Sequence, residues 1–372
     1  MSAFAYLDHN ATSPLRPAAF EAMTEALRVG GNPSSVHAAG RKARSIVERA
    51  RRDVAALVGA LPAEIVFTSG GTEANNMAIG GAGRPRVVVS AVEHDSVLNA
   101  APDAERIAVD SDGVLDLTAL ESLLTRCDEP VLVSVMLANN ETGVVQPVRD
   151  VVRLARKAGA LVHCDAVQAA GKMPVDLHGL GVDYLSLSAH KLGGPTGVGA
   201  LVVHSEAPFA GDRRGGGQEA RRRAGTENVA GIAGFGATAA EANAGLPVGD
   251  LRDRLEAALI GSAYGAKVFG SGAPRLANTT CISMPGVKAE TQVMALDLAG
   301  VCVSAGAACS SGKVQRSAVL AAMGVEQAVA ETAIRISLGW SSRAEEINRL
   351  IAAWRDLYIR VVQSDMRSAQ AA

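Results

Sequence analysis

Strand–helix alternation predicts an α/β protein built around a mostly parallel sheet covered by helices on both faces. Three observations carry that prediction. Short runs rich in β-branched residues recur through the first two hundred or so positions, helix-period segments lie between several of them, and the texture changes after about residue 245. Parallel strands buried on both faces read as continuous apolar runs rather than alternating ones, and these do.

Residues 41–58 (RKARSIVERARRDVAALV) place apolar side chains at helical spacing with charges between them, which predicts a surface helix. Strands follow at Glu64–Phe67, Arg86–Ser90, Arg106–Val109, Val131–Leu137, Ala160–Cys164, Tyr184–Ser188 and Gly199–Val203. Helical stretches at Leu117–Thr125 and Val148–Ala158 separate some of them. Beyond Gly245-Leu246-Pro247, the turn residues and the shift in texture mark a boundary. After it come a helix at Asp250–Ile260, an extended piece at Thr279–Ser283, a helix at Glu290–Leu298, a short strand at Val301–Val303 and a long terminal helix from Glu345. That order predicts a smaller α+β domain, and 372 residues allow two domains at about 150 residues each.

Composition narrows the class. Hydrophobic residues make up 48% and charged residues 20%, which fits a globular protein and excludes a disordered or fibrous one. No apolar run approaches the ~18 residues of a membrane span, so no membrane role is expected. The start, MSAFAYLDHNATSP, has no basic stretch followed by an apolar one, so no secretory signal is read and a cytoplasmic protein is expected. With 36 basic against 38 acidic residues and only 3% aromatics, nothing advertises a nucleic-acid surface. The five cysteines are odd in number and form no CxxC pair, so neither a zinc ribbon nor a disulfide framework is encoded, and no metal is expected.

Ligands of open parallel sheets bind beyond the carboxyl ends of the strands. After Ile65-Val66-Phe67 comes Thr68-Ser69-Gly70-Gly71-Thr72-Glu73-Ala74-Asn75, where backbone N–H groups at a helix start could take an anion. An ordinary N-capped turn would read the same way. After Val131–Leu137 comes Asn139-Asn140-Glu141-Thr142-Gly143; after Cys164 comes Asp165-Ala166-Val167-Gln168; and Ser188-Ala189-His190-Lys191 precedes a glycine-rich turn. Each segment alone has a bland reading as a cap or a solvated loop. Together they supply an anion cradle, an amide, a carboxylate and a lysine, the groups that pyridoxal phosphate requires.

Other motifs fail. Gly306 to Gly312-Lys313 imitates a nucleotide P-loop but is one residue too long and has Val314 where Ser or Thr is needed. Gly234-Phe235-Gly236 has no strand before it and reads as a helix with small residues for close packing. No G-x-S-x-G elbow occurs.

These segments, with Tyr6-Leu7-Asp8-His9-Asn10-Ala11-Thr12, Asn32-Pro33-Ser34-Ser35-Val36-His37, Gly215-Gly216-Gly217-Gln218-Glu219, Arg223-Ala224-Gly225-Thr226 and Ile334-Arg335-Ile336-Ser337-Leu338-Gly339, resemble the cysteine desulfurases of the iron–sulfur-assembly type, in order and over nearly the whole chain. Those are class V aminotransferase-family enzymes of pyridoxal-phosphate fold type I. The resemblance implies a large cofactor-binding domain over 15–245 and a small domain from 1–14 and 246–372 that carries a catalytic-cysteine loop.

By resemblance, Lys191 is the Schiff-base lysine, Asp165 the partner of the pyridine nitrogen, and Gln168 the amide near the phenolic oxygen. Asn140 lies by cofactor and substrate, and Gly71, Thr72, Ser188 and His190 form the phosphate cup. Thr226 matches a phosphate ligand that the neighbouring subunit supplies, which implies a homodimer. His94 matches the imidazole stacked on the pyridine and implicated in proton transfer; Arg335 matches the arginine that holds the substrate carboxylate. Cys309 matches the nucleophile on a mobile loop, although Ala305 and Ala307 stand where serines are common and Thr196 stands where a lysine is frequent.

The implied reaction takes L-cysteine to L-alanine, with the Lys191 amine removing the α-proton and the Cys309 thiolate taking the sulfur as a persulfide. A free thiol has a pKa near about 8.5, so His94 or the substrate's own charges must take its proton. A sulfur-acceptor protein such as an iron–sulfur scaffold is the implied partner. The alternatives are another class V enzyme, such as a selenocysteine lyase or an aminotransferase, and a non-catalytic sulfur-assembly scaffold. Of the other thiols, Cys164, Cys281 and Cys302 fall in apolar strand-like runs where desolvation should raise their pKa, and Cys127 follows a helix away from the strand ends.

Overall fold

A seven-stranded sheet organises the first two thirds of the chain in the computed structural model, which describes residues 4–242, 245–305 and 317–371, the stretch 363–371 by backbone alone. In chain order the strands are β1 (Ala5–Tyr6), β2 (Ile65–Thr68), β3 (Arg86–Ser90), β4 (Glu105–Ile107), β5 (Val131–Ser134), β6 (Leu161–Asp165), β7 (Tyr184–Ser188) and β8 (Gly199–Val203). They continue with β9 (Thr279–Ser283), β10 (Val301–Cys302), β11 (Ser304–Ala305) and β12 (Ala333–Ser337). The large sheet has the order β2-β8-β7-β6-β5-β3-β4. Only β8 runs antiparallel to its neighbours, β2 and β7; the other pairs are parallel.

Both faces of this sheet are covered, which is why its strands carry apolar residues without alternation. Ile65, Phe67, Val133, Val162, Leu185 and Val202 point into one core, while Val66, Leu132, Leu161, Tyr184 and Leu201 point into another. The first core is closed by helix α2 (Ala38–Leu57), which turns Val47, Ala50, Val54 and Ala55 inward. The His37 side chain caps this helix by accepting from Gly40 N, and α1 (Pro17–Val29) precedes it with proline in its first turn. The second core is closed by α3 (Gly71–Gly81) through Ala74, Met77 and Ala78.

The helix at Val148–Lys157 shows how local chemistry sets an element's ends. Asp150 in its first turn and Arg156 and Lys157 in its last turn oppose the helix dipole, and Gly159 (φ 67°) follows in the left-handed region. The strand expected to reach Leu137 leaves the regular ladder after Ser134. Val135 N and Leu137 N nevertheless still donate to His163 O at 3.0 Å and Asp165 O at 2.8 Å, so its continuation stays on β6 and delivers Asn139 and Asn140 to the sheet's carboxyl end.

A separate three-stranded sheet, β11-β12-β9, is antiparallel and packs on helices Gly249–Ser262, Ala289–Leu298 and Ala344–Ala371. Its core contains Leu255, Leu259, Ile282, Ile336, Leu350 and Trp354, each fully or almost fully buried. Ala5 and Leu7 join that core, because β1 pairs with β10 in parallel. Among the described residues no helix is long and apolar enough to cross a membrane.

Candidate active site

The carboxyl ends of β2, β6 and β7 and the start of α3 converge on one cavity of about 340 Å³. Gly71, Thr72, Asp165, Gln168 and Ser188 line it from these junctions. His94, Asn140, His190, Lys191 and Arg335 complete its wall. Ten of the residues singled out from sequence therefore meet at one place. At Gly71 a Cβ would come within 2.8 Å of Val167 Cγ2, so only glycine lets the first turn of α3 approach this closely. The backbone N–H groups of that turn lack helical partners, which suits them to an anion.

Asp165 is held by two donors. Its Oδ1 accepts from Val167 N at 2.9 Å and its Oδ2 from Asn75 Nδ2 at 2.7 Å. Asn75 Nδ2 also donates to Ser96 Oγ at 2.8 Å, leaving the Ser96 hydroxyl to donate to His94 Nδ1 at the same distance. Because Ser96 N also donates to Nδ1, a neutral His94 ring carries its proton on Nε2. Carboxylate and imidazole are thus oriented through one buried asparagine.

Lys191 follows β7 in a short helical turn, Ala189–Lys191, and its Nζ donates to Asn10 O at 2.7 Å and Ala11 O at 2.8 Å. His190 Nδ1 lies 3.2 Å from Thr12 Oγ1, and burial together with the Lys191 and Lys172 charges lowers its pKa to about 4. Gln168 donates from Nε2 to Asn10 O at 3.0 Å. The N-terminal segment Asn10–Thr12 therefore closes this side of the site.

Arg335 lies on β12, opposite Ser304 of β11. One Nη donates to Asp8 Oδ1 at 2.7 Å and the other to Asn140 O at 3.1 Å, while its buried Nε has no partner. A guanidinium steadied by a carboxylate and lining the cavity is suited to receive a second carboxylate.

Thr226 is placed elsewhere. It is exposed beside Gly197, Glu227 and Asn228 in a different recess, outside the cavity that holds Lys191. Cys309 lies outside the described residues, but the described chain on either side of it borders the site: Ser304 pairs with Arg335, and Ala318 and Val319 line the cavity. Among the other cysteines, Cys164 and Cys281 are buried and their thiols are pushed up by burial. Cys302 differs from its expected strand-interior place: β10 has two residues and leaves its thiol partly exposed, though burial still raises its pKa.

The sequence pattern did not single out Asp8, Asn10, Asn75, Glu93, Glu141 or Lys172 as site residues. Glu93 and Glu141 line the cavity, and burial pushes Glu93 well up and Glu141 to about 7. Ser317 Oγ donates to Glu141 Oε2 at 2.6 Å. Between an ordinary value of 4.5 and about 7, folded protein holds a proton at Glu141 that the unfolded chain has lost. Stability at this group therefore falls as pH rises through that window and levels off above it. The Glu141→Gln protein without cofactor is expected to lose roughly 1–3 kcal/mol less than its parent across the window. Chemical denaturation at both ends of the window checks this, and equal losses in the two proteins would refute it.

A family model described as aminotransferase class-V matches residues 5–350. A cysteine desulfurase from Cereibacter sphaeroides is 47% identical over 363 residues, covering 93% of this chain and 93% of the relative. The crystal structure of a NifS-like protein from Rickettsia africae superposes with a TM-score of 0.87 at 35% identity, covering 95% of this chain and 99% of that one. A structure described as SspA in complex with cysteine superposes with a TM-score of 0.78 at 29% identity, covering 90% and 98%.

Proposed function

The chain belongs to the aminotransferase class-V family, and from that premise we propose that it is a pyridoxal-phosphate enzyme that takes sulfur from L-cysteine, releases L-alanine and carries the sulfur on Cys309. One observation carries the reading: a lysine, a buried carboxylate, a helix N-terminus and an arginine surround a single cavity. The residues fit the cofactor. Asp165, fixed by two donors, faces the cavity as an anion partner for a pyridinium, and the approach at Gly71 leaves bare N–H groups for a phosphate. Bound pyridoxal phosphate supplies an electron sink that acidifies the substrate's α-carbon.

This chain's own groups do the rest. Gly71, Thr72, Ser188 and His190 hold the phosphate, Asp165 the ring nitrogen, and Gln168 and Asn140 the polar edge. Arg335, which lines the cavity and is steadied by Asp8 and by Asn140 O, takes the substrate carboxylate. Lys191 Nζ takes the α-proton, and His94 exchanges a proton at its imidazole. The Cys309 sulfur bonds to the substrate sulfur as the carbon–sulfur bond breaks. The balance is cysteine plus enzyme thiol giving alanine plus enzyme persulfide.

A persulfide must be discharged before the next turnover, so the cycle needs a thiol acceptor, and we assign that place to a protein of iron–sulfur assembly. Thr226 supports a homodimer, since a chain that keeps this residue out of its own cavity can offer it to a neighbour's. The purified protein is expected to be yellow, to run as a dimer in light scattering, and to release alanine and sulfide from L-cysteine with a reductant present. A colourless protein, or alanine release that is independent of Cys309, would overturn the reading.

A further inference from the structure

Lys172 is a buried amine that the chemistry above leaves unused. It is only 9% exposed, and its Nζ donates to Gln168 Oε1 at 2.7 Å and Asn10 Oδ1 at 2.8 Å. Burying an amine is costly, and a buried methionine would pack as well without that cost. Burial, with Lys191 and Arg335 close by, pushes the pKa of this amine well down. Lys191 and Arg335 act on its charge, and its charge in turn acts on His9 and His190.

A side-chain amide has nearly the same shape in its two flipped states but opposite chemistry. A lysine ammonium can only donate, so Lys172 in its charged form turns the oxygen of Gln168 toward itself. The Gln168 nitrogen then donates to Asn10 O at 3.0 Å and keeps one N–H for the cavity that it lines. A flipped amide would lose both bonds at once and set donor against donor. Asn10 is fixed in the same way. Its Nδ2 donates to Thr279 Oγ1 at 2.9 Å and Asn140 O at 3.2 Å, and its oxygen accepts from Lys172 and from Asn278 Nδ2.

We propose that Lys172 is a positioning residue that locks the Gln168 amide with its N–H turned to an oxygen anion in the cavity, the cofactor's phenolic oxygen. The inference rests on the cofactor reading above. Losing that N–H makes the oxygen more basic, so the midpoint at which the bound cofactor's visible absorption changes with pH should rise.

The test is a double-mutant cycle on the holoenzyme, titrating visible absorption for the parent, Lys172→Met, Gln168→Met and the double variant. Each single variant is expected to raise the midpoint by about one pH unit, the worth of one hydrogen bond. The double variant is expected to move it no further than either single one. Lys172→Gln, which keeps an N–H donor, should return the midpoint toward the parent's. Additive shifts would overturn the inference, since they mean that Lys172 acts by charge and not through Gln168. No shift in Lys172→Met, or loss of cofactor from it while Gln168→Met stays loaded, would overturn it as well. A parent protein without visible absorption would remove the cofactor reading itself, and this inference with it.

Discussion

The Lys191→Ala protein is expected to purify without the cofactor's colour and to turn over L-cysteine more slowly by roughly 10⁴ or more, because it loses both the attachment point and the proton acceptor. The geometry shows why no neighbour should take over. The other amine nearby, Lys172, is held by Gln168 Oε1 and Asn10 Oδ1 within a buried polar network. Lys191 Nζ donates to the backbone carbonyls of Asn10 and Ala11 at the edge of the cavity that it lines. Borohydride reduction followed by peptide mass spectrometry should find cofactor on the Lys191 peptide of the parent and on no peptide of the variant. Cofactor on the Lys172 peptide, or retained colour and rate, would contradict the assignment.

The second large effect is expected at Cys309. Cys309→Ser should keep the colour and the spectral response to cysteine, yet form alanine and sulfide more slowly by roughly 10³ or more. Among the described residues no cysteine lines the cavity. Cys164 and Cys281 are sealed in cores with their thiols pushed toward the neutral form, and Cys127 packs against the first core. Cys302 is partly exposed, but it lies on β10 beside β1. The chain that carries Cys309, by contrast, departs after Ser304-Ala305 next to Arg335 and returns at Ala318-Val319 on the cavity wall. Mass spectrometry after incubation with cysteine should place the extra sulfur on the Cys309 peptide. Finding it on Cys302 would overturn the sulfur route and leave the cofactor site standing.

Much of this protein was legible before any coordinates, because the relevant signals are local. Apolar runs gave Arg86–Ser90, Tyr184–Ser188, Gly199–Val203 and Thr279–Ser283 their observed limits, since a strand buried on both faces announces itself within its own residues. Polar residues at the ends of the Ala160–Cys164 and Tyr184–Ser188 runs marked Asp165, Ser188, His190 and Lys191, because a parallel sheet opens its binding crevice at strand ends. The order of those segments carried the family resemblance, and with it the cofactor and the substrate.

Only the tertiary structure decided the partners of these residues. Asp8 steadies Arg335 from 327 positions away, and Lys172 reaches Asn10 across 162. No periodicity or spacing encodes such pairs, because they exist only once β1 has joined β10 and the Asn10–Thr12 segment has closed over the ends of β6 and β7. The carboxyls of Glu93 and Glu141 and the amine of Lys172 look like ordinary charges in the sequence. Burial is what shifts each of them toward its neutral form, and burial belongs to the fold and not to the residue.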